Sequence, residues 1–270
     1  MRVQALGICR FSMLVESDFQ TTGADLDANR RILYDADRMA ERFRWFENLC
    51  LPPLMAQTDP DFTLVLATGE DLPQQWLTRL REIAAEVPQI RLMQAAPGRH
   101  APICKAMLAA HLDPRADVVA QFRMDDDDAV ALDFVESLRR DFPRIAGLMQ
   151  GPDPVALDYA RGLVLERGPD GCRLTEEMQR LWVPALVMFF PGGMPRSIMN
   201  YRHDHMWHKV PVVSLIDRIM WIRGFHDTND SPRPPDALRP RAAGRPDLNK
   251  LLRERFGLQR GRLFRALMAG

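Results

Sequence analysis

The sequence contains few cysteines. Only four occur in 270 residues, at Cys9, Cys50, Cys104 and Cys172, and no two of them form a Cys-x-x-Cys pair. Cysteines scattered in this way through apolar segments match neither the ligand spacing of a zinc site nor a disulfide framework. We therefore expect reduced thiols inside a folded core.

Long apolar runs and net charge are also absent. No stretch of about 18 apolar residues occurs, and the first apolar run breaks at Arg10, before a signal-peptide core is complete. Lys plus Arg equal Asp plus Glu at 36 each, so no overall field attracts nucleic acid. We expect a cytoplasmic protein with no nucleic-acid partner.

Segments of strand character alternate with segments of helical period in the first half of the chain. Strands are predicted at residues 3–11, 62–67, 90–93 and 118–124, and helices at 37–50, 74–86, 101–111 and 132–142, with a loop at 12–36 and Asp37 as a helix N-cap. This alternation predicts an α/β protein whose mostly parallel central sheet is flanked by helices. Shorter extended segments at 163–165, 185–190, 211–215 and 219–225 predict a mixed-sheet second half.

The C-terminal part has a different composition. Residues 231–246 are rich in Pro and Arg, which is typical of an extended tether, and a helix is predicted at 248–256. Residues 231–270 hold ten Lys or Arg and three Asp or Glu. We divide the chain into a main domain at 1–230 and a tether with a basic helix at 231–270. This basic tail is expected to be a solvated helix, and the alternative is a weak peripheral contact with an anionic membrane.

Four consecutive aspartates, Asp125 to Asp128, follow the predicted strand at 118–124. Ligands of open parallel sheets bind beyond the carboxyl ends of the strands. Adjacent carboxylates repel one another unless a hard cation shares their oxygens, so the run predicts a site for Mn²⁺ or Mg²⁺ together with substrate phosphates. Two alternatives are an acidic helix N-terminus, with the helix starting near Ala131, and an EF-hand calcium loop, in which Val130 replaces the required glycine.

A second polar segment, residues 199–209, contains three histidines and one carboxylate. Asp204 is the predicted general base, since flanking cations would hold it ionised. The spacing of His203, His205 and His208 is also similar to the zinc signature of metallo-β-lactamase-fold hydrolases, although Trp207 replaces the aspartate of that signature. A zinc metallohydrolase and a non-catalytic carbohydrate- or metal-binding module are therefore alternative interpretations.

Three stretches in the same order resemble the bacterial "putative rhamnosyltransferase" family of the GT-A type. They are Phe46-Glu47-Asn48 through Asp61-Phe62, Arg123 through Asp128, and Trp221-Ile222-Arg223-Gly224-Phe225-His226 through Ser231. The resemblance covers most of residues 1–231. It implies a GT-A-like nucleotide-diphospho-sugar transferase fold and a metal-dependent glycosyltransferase. The expected reaction moves a sugar, rhamnose, from a nucleotide diphosphate donor to a glycan or lipid-linked acceptor.

The resemblance also implies roles for individual residues. Asp125 and Asp127, or in the other register Asp126 and Asp128, would form the metal-binding Asp-x-Asp pair. His226 follows the last core strand and would be a further metal ligand, or otherwise a hydrogen-bonded strand terminus. The expected donor-binding residues lie at the end of the first strand and along the next segments that carry positive charge: Arg10, Ser12, Arg99, Lys105 and Arg123.

Overall fold

The computed structural model describes residues 1–15, 25–227 and 247–269. The predicted tether at 231–246 lies outside these residues. The division of the chain near residue 230 therefore stays a prediction. None of the helices in the described parts is both long and apolar enough to cross a membrane.

The described residues form eleven strands in two sheets. In chain order they are β1 Val3–Arg10, β2 Thr63–Gly69, β3 Ile90–Ala95, β4 Val118–Asp125, β5 Asp128–Val130, β6 Val155–Tyr159, β7 Arg161–Gly168, β8 Gly171–Met178, β9 Leu186–Pro191, β10 Val212–Leu215 and β11 Trp221–Phe225. The predicted strands of the first half are all present. Strands β5, β6 and β8 were not predicted.

The main sheet has seven strands in the order β10-β6-β9-β4-β1-β2-β3. Strands β4, β1, β2 and β3 run parallel, and β10 is parallel to β6, whereas β9 lies antiparallel between β6 and β4. The second sheet has the order β5-β11-β7-β8 and mixes both orientations. The prediction of a mostly parallel α/β sheet with a mixed second half is confirmed.

The helices are α1 Leu26–Leu33, α2 Ala36–Trp45, α3 Leu51–Met55, α4 Gln74–Glu86, α5 His100–Ala109, α6 Phe134–Ile145, α7 Leu248–Phe256 and α8 Arg260–Met268. A π-helix, Phe46–Cys50, joins α2 to α3, and short 3-10 helices occupy Ala146–Leu148, Ile198–Asn200 and His203–His208.

Two local predictions were wrong, and one alternative interpretation is not supported. The segment predicted as a loop at 12–36 contains α1. Helix α2 is capped by Asp35, whose carboxylate accepts hydrogen bonds from the backbone N–H groups of Asp37 and Arg38 at 3.1 Å, so Asp37 lies inside the first turn. Helix α6 begins at Phe134, beyond β5, so the aspartate run does not cap a helix near Ala131.

Side chains alternate between the two faces of the main sheet. Ala5 and Cys9 of β1 join one core cluster, whereas Leu6 and Ile8 join the other. Helices α2, α4 and α6 cover the first face and α5 covers the second. The apolar side chains of α7 and α8 lie in the first cluster, with Leu252, Phe256 and Leu267 fully buried.

Candidate functional site

The four aspartates form the turn that connects the two sheets. Asp125 is the last residue of β4, and Asp128 is the first residue of β5. In the sheet register Asp125 lies opposite Arg10 of β1, and Asp128 lies opposite Arg223 of β11. The acidic run therefore occupies the carboxyl edge of the parallel strands, with an arginine beside it in each sheet.

Three of the four carboxylates gather. Asp125, Asp127 and Asp128 each offer one oxygen, and these atoms all lie within 4.8 Å of one another. Within the parts of the chain that the structure describes, they are the single such group of three His, Cys, Asp or Glu side chains. Asp128 Oδ1 is buried and has no hydrogen-bond partner. A set of hard carboxylate oxygens with an unsatisfied buried atom fits Mn²⁺ or Mg²⁺.

Asp126 is turned away from this group. Its carboxylate forms a bidentate ion pair with Arg42 of α2, in which Arg42 Nε donates to Asp126 Oδ2 at 2.7 Å and a second nitrogen donates to Oδ1. Both side chains are buried. The arrangement therefore groups the pair Asp125 and Asp127 with Asp128, and it assigns Asp126 to the interior.

The charges within the run are unequal. Burial raises the pKa of Asp128 well above its ordinary value and raises that of Asp126 to about 6, although Arg42 opposes the second shift. Burial also works against ionisation of Asp127, but the hydrogen bond and charge of His226 outweigh it and lower the pKa of Asp127 to about 2. Asp127 is the carboxylate whose ionised form the protein itself stabilises.

His226 lies directly after β11 and beside this carboxylate. Its Nε2 is 3.2 Å from Asp127 Oδ2, and its ring stacks on Trp45 with 4.8 Å between centroids. It does not belong to the group of three oxygens within 4.8 Å. The structure thus places the predicted histidine at the site, in contact with a candidate ligand.

A chain of hydrogen bonds supports the His226 ring from behind. Trp45 Nε1 donates to Glu41 at 2.6 Å, and Glu41 also accepts from Arg167 at 2.7 Å. The same Arg167 nitrogen donates to the carbonyl oxygen of Leu267 in α8 at 3.3 Å. The C-terminal helix is therefore connected to the ring that contacts Asp127. No sequence signal predicts these hydrogen bonds, because the residues that form them are far apart in the chain.

Gly224 closes the site on the side of β11. Its N–H donates to the carbonyl oxygen of Asp127 at 3.1 Å. A Cβ atom at this position would lie 2.4 Å from that oxygen and 2.8 Å from the Trp45 ring. Glycine is required here because β11 and the turn that contains Asp127 approach each other closely.

Two arginines lie next to the acidic edge: Arg10 is opposite Asp125 in the sheet register, and Arg123 precedes Asp125 on the same strand. Burial, followed by the charges of Arg10 and Arg123, lowers the pKa of His100 at the start of α5 to about 3, so its imidazole is neutral. Arg123 Nε is buried and has no hydrogen-bond partner. Arginines beside a cation site suit a diphosphate. His100 was not predicted, because a histidine at the start of a helix has no distinguishing sequence signal.

The other predicted donor-binding residues are Ser12, Lys105 and Arg99. Ser12 is buried with a positive φ of 44°, and its hydroxyl oxygen has no partner. Burial raises the pKa of Cys104 on α5 to about 11, although the charges of Arg10 and Arg123 oppose the rise, and the adjacent Lys105 is half-buried. Arg99 is exposed at the N-cap of the same helix.

Asp204 lies in the 3-10 helix His203–His208. Its carboxylate accepts from Arg202 at 2.8 Å, and this hydrogen bond is the main reason why the pKa of Asp204 is lowered. The side chain is 45% exposed, and its charge reaches Arg123. Asp204 is thus ionised and accessible, as a base must be.

The three histidines of this helix do not converge. His203 Nδ1 lies 2.7 Å from the carbonyl oxygen of Leu181, and the rings of His205 and His208 are 5.9 Å apart. Trp207 stacks on His208 at 3.7 Å. No group of metal-ligating atoms forms here among the described residues, so the zinc hydrolase interpretation gains no support.

The fold and this edge define an α/β protein with three gathered carboxylates beside a set of arginines. Residues 4–238 match the sequence model of the family described as "Putative rhamnosyl transferase". The match spans most of the chain, so the protein belongs to this family of glycosyltransferase enzymes. No curated protein matches the sequence.

Several solved structures are similar at low identity. Staphylococcus aureus TarS 1-349 in complex with UDP-GlcNAc has a TM-score of 0.44 and 11% identity, covering 85% of this chain and 60% of that one. Its complex with UDP has a TM-score of 0.44 and 10% identity, covering 83% and 61%. A further TarS structure matches 83% of this chain with a TM-score of 0.42 and 10% identity. The present chain spans 37 to 61% of the length of these TarS chains.

Proposed function

We propose that this enzyme is a metal-dependent glycosyltransferase. In this proposal it moves a sugar, rhamnose by the family description, from a nucleotide diphosphate donor to a glycan or lipid-linked acceptor. The observation that carries the proposal is the gathering of Asp125, Asp127 and Asp128 within 4.8 Å at the edge where the parallel strands end. The neighbouring arginines supply the positive charge that a diphosphate needs in addition to a metal.

The three gathered carboxylates would hold Mn²⁺ or Mg²⁺. When bound, such an ion neutralises the negative charge that develops on a leaving diphosphate. Other residues of the protein set the charge and orientation of these carboxylates. His226 fixes Asp127 in its ionised form, and the Arg42 ion pair keeps Asp126 out of the group, which limits the negative charge there to three carboxylates.

Arg123 is the proposed partner of the donor phosphates. It precedes Asp125 by two residues on β4, so both side chains lie on the same face of that strand. Its buried Nε carries a hydrogen-bond donor without an acceptor, and a phosphate oxygen is the acceptor that such a guanidinium binds best. Arg10, which lies opposite Asp125 in the sheet register, would bind the same end of the donor.

Asp204 is the proposed general base. A base that accepts the proton of an acceptor hydroxyl must be ionised and reachable from solvent. The hydrogen bond from Arg202 favours the ionised form of Asp204, and its half-exposed side chain can be reached from solvent. Its negative charge acts on Arg123, the proposed partner of the donor phosphates, which supports a role for Asp204 on that side of the site.

Calorimetry with nucleoside diphosphates, with and without Mn²⁺, tests the proposal. We expect binding that requires the metal, and a thermal-shift screen of nucleotide sugars should then identify the donor. A ligand at 100 times its dissociation constant adds about 2.7 kcal/mol to the free energy of unfolding. The matching nucleoside monophosphate is the control, because it lacks the diphosphate. Equal binding of the diphosphate without metal would contradict the proposal.

A further inference from the structure

Helices α7 and α8 form a hairpin with an unusual concentration of positive charge. We call residues 248–268 the basic hairpin. Its exposed cations are Lys250, Arg253, Arg260, Arg262 and Arg265, and Glu254 is the only acidic residue in this stretch of sequence. None of the five cations forms a salt bridge within the described parts of the chain. Arg255, by contrast, is paired with Asp133 at 2.7 Å.

The hairpin holds these cations in fixed positions. Its opposite side is apolar and packs into the main core, where Leu252, Phe256, Leu263 and Leu267 are buried. The Gly257 turn between the helices has a positive φ of 67° and caps α7 with two backbone hydrogen bonds. The packed apolar side therefore fixes which side of the two helices faces solvent, and the five cations lie on that side.

Apolar side chains lie among the charges. Arg253 and Arg260 line a groove of about 610 Å³ between the helices, together with Phe264. The guanidinium of Arg260 lies 4.9 Å from the centre of the Phe264 ring. Met268, at the end of α8, is 42% exposed. The face thus combines exposed cations with apolar groups that are only partly covered.

We propose that the basic hairpin docks on a membrane surface that contains anionic lipids. Cations without carboxylate partners are attracted to such a surface, and partly exposed apolar side chains on the same face can enter the headgroup region. The charge is local, since the whole chain is neutral. If the proposed function holds, docking would bring the enzyme to the surface where a lipid-linked acceptor lies.

Co-sedimentation of the full chain with vesicles tests the docking. The vesicles are pure phosphatidylcholine, or phosphatidylcholine with about 30% phosphatidylglycerol, a fraction chosen to resemble an anionic leaflet. We expect binding to the anionic vesicles alone, with loss of binding at high salt, because screening shortens the reach of the charges. The double variant Arg253→Gln and Arg260→Gln should weaken the partition coefficient by at least about tenfold.

The matched control removes two exposed cations elsewhere, with Arg81→Gln and Arg115→Gln, and should bind vesicles like the wild type. Thermal unfolding of both double variants checks that the fold is retained. Equal binding to neutral and anionic vesicles, or equal loss in the control, would overturn the proposal. So would tighter binding to a DNA duplex than to anionic vesicles.

The outcome is separable from that of the proposed function. Binding of a soluble nucleoside diphosphate with Mn²⁺ should be unchanged in the Arg253→Gln and Arg260→Gln variant, because these residues lie outside the acidic edge. Vesicle binding without any metal-dependent diphosphate binding would support the docking surface and contradict the proposed transferase site. The reverse result would contradict the docking surface alone.

Discussion

The indole ring of Trp45 stacks on the imidazole of His226, with 4.8 Å between the ring centroids. His226 in turn lies 3.2 Å from a carboxylate oxygen of Asp127, and Trp45 donates its own N–H to Glu41. The stacked pair therefore fixes the orientation of a side chain that contacts a candidate metal ligand. Groups behind a metal ligand commonly change metal affinity by 10- to 100-fold, on the order of 1.4 to 3 kcal/mol.

The Glu41→Gln substitution should weaken metal-dependent diphosphate binding by about tenfold. It removes the charge that holds the Trp45 N–H and Arg167 while retaining the shape of the side chain. Calorimetric titration of Mn²⁺ at a fixed nucleoside diphosphate concentration measures the effect. Glu82→Gln, at an exposed position of α4, is the control. If both variants bind alike, Glu41 has no positioning role.

The Gly224→Ala substitution should destabilise the protein by roughly 1–3 kcal/mol, the usual cost of overpacking. The added methyl group would lie 2.4 Å from the Asp127 carbonyl oxygen, so β11 would have to move away from the aspartate turn. Gly168→Ala is the matched control, since no atom lies within 4 Å of the added Cβ and its φ is not positive. Urea unfolding of both variants measures the difference. Comparable stabilities would show that the strand adjusts without cost.

Replacing the neighbouring residues Asp126 and Asp127 should affect different properties: stability in the first case and ligand binding in the second. Asp127→Asn is expected to abolish metal-dependent diphosphate binding and leave the fold intact, because Asp127 belongs to the gathered carboxylates. Asp126→Asn is expected to lower the free energy of unfolding by roughly 3 kcal/mol, because it removes the carboxylate that forms the buried bidentate ion pair with Arg42. Calorimetry and urea unfolding of both variants separate the two roles. Retained metal-dependent binding in Asp127→Asn would count against the site.

Asp158 should make stability fall as the pH rises from about 4 to 6. It is buried on β6 and accepts a hydrogen bond from Ser214 at 2.8 Å, and burial raises its pKa to about 6. The folded protein therefore holds this proton over a range in which the unfolded chain has already released it, so ionisation above pH 4 costs stability. The total effect is up to about 3 kcal/mol.

The measurement compares urea unfolding of the wild type with that of Asp158→Asn at several pH values between 4 and 7. The asparagine oxygen still accepts from Ser214 but carries no titratable proton. The wild type should lose stability relative to the variant between pH 4 and 6, and the difference should be constant above that range. A difference independent of pH would show that Asp158 has an ordinary pKa.

The helices that were predicted correctly have a long apolar face, whereas the missed elements are short or bury few apolar residues. Helices α4 and α7 have the predicted bounds, because an apolar face of adequate length leaves a clear 3.6-residue period. Strand β5 has three residues and begins with Asp128, so it has no period to detect. Helix α1 buries only Asn29, and its apolar residues Leu26 and Ile32 are exposed, so its apolar positions do not mark a side that faces the core.

The sequence by itself determined that acidic side chains end a buried parallel strand and that His226 follows a late one, since both facts depend on the order of residues along the chain. Only the tertiary structure decided which carboxylates share a site. Asp126 is removed from the group by Arg42, a residue 84 positions away, and Asp127 is oriented by a ring on a different sheet. The orientation of a buried carboxylate depends on the side chain that neutralises it, and only folding brings that side chain next to it.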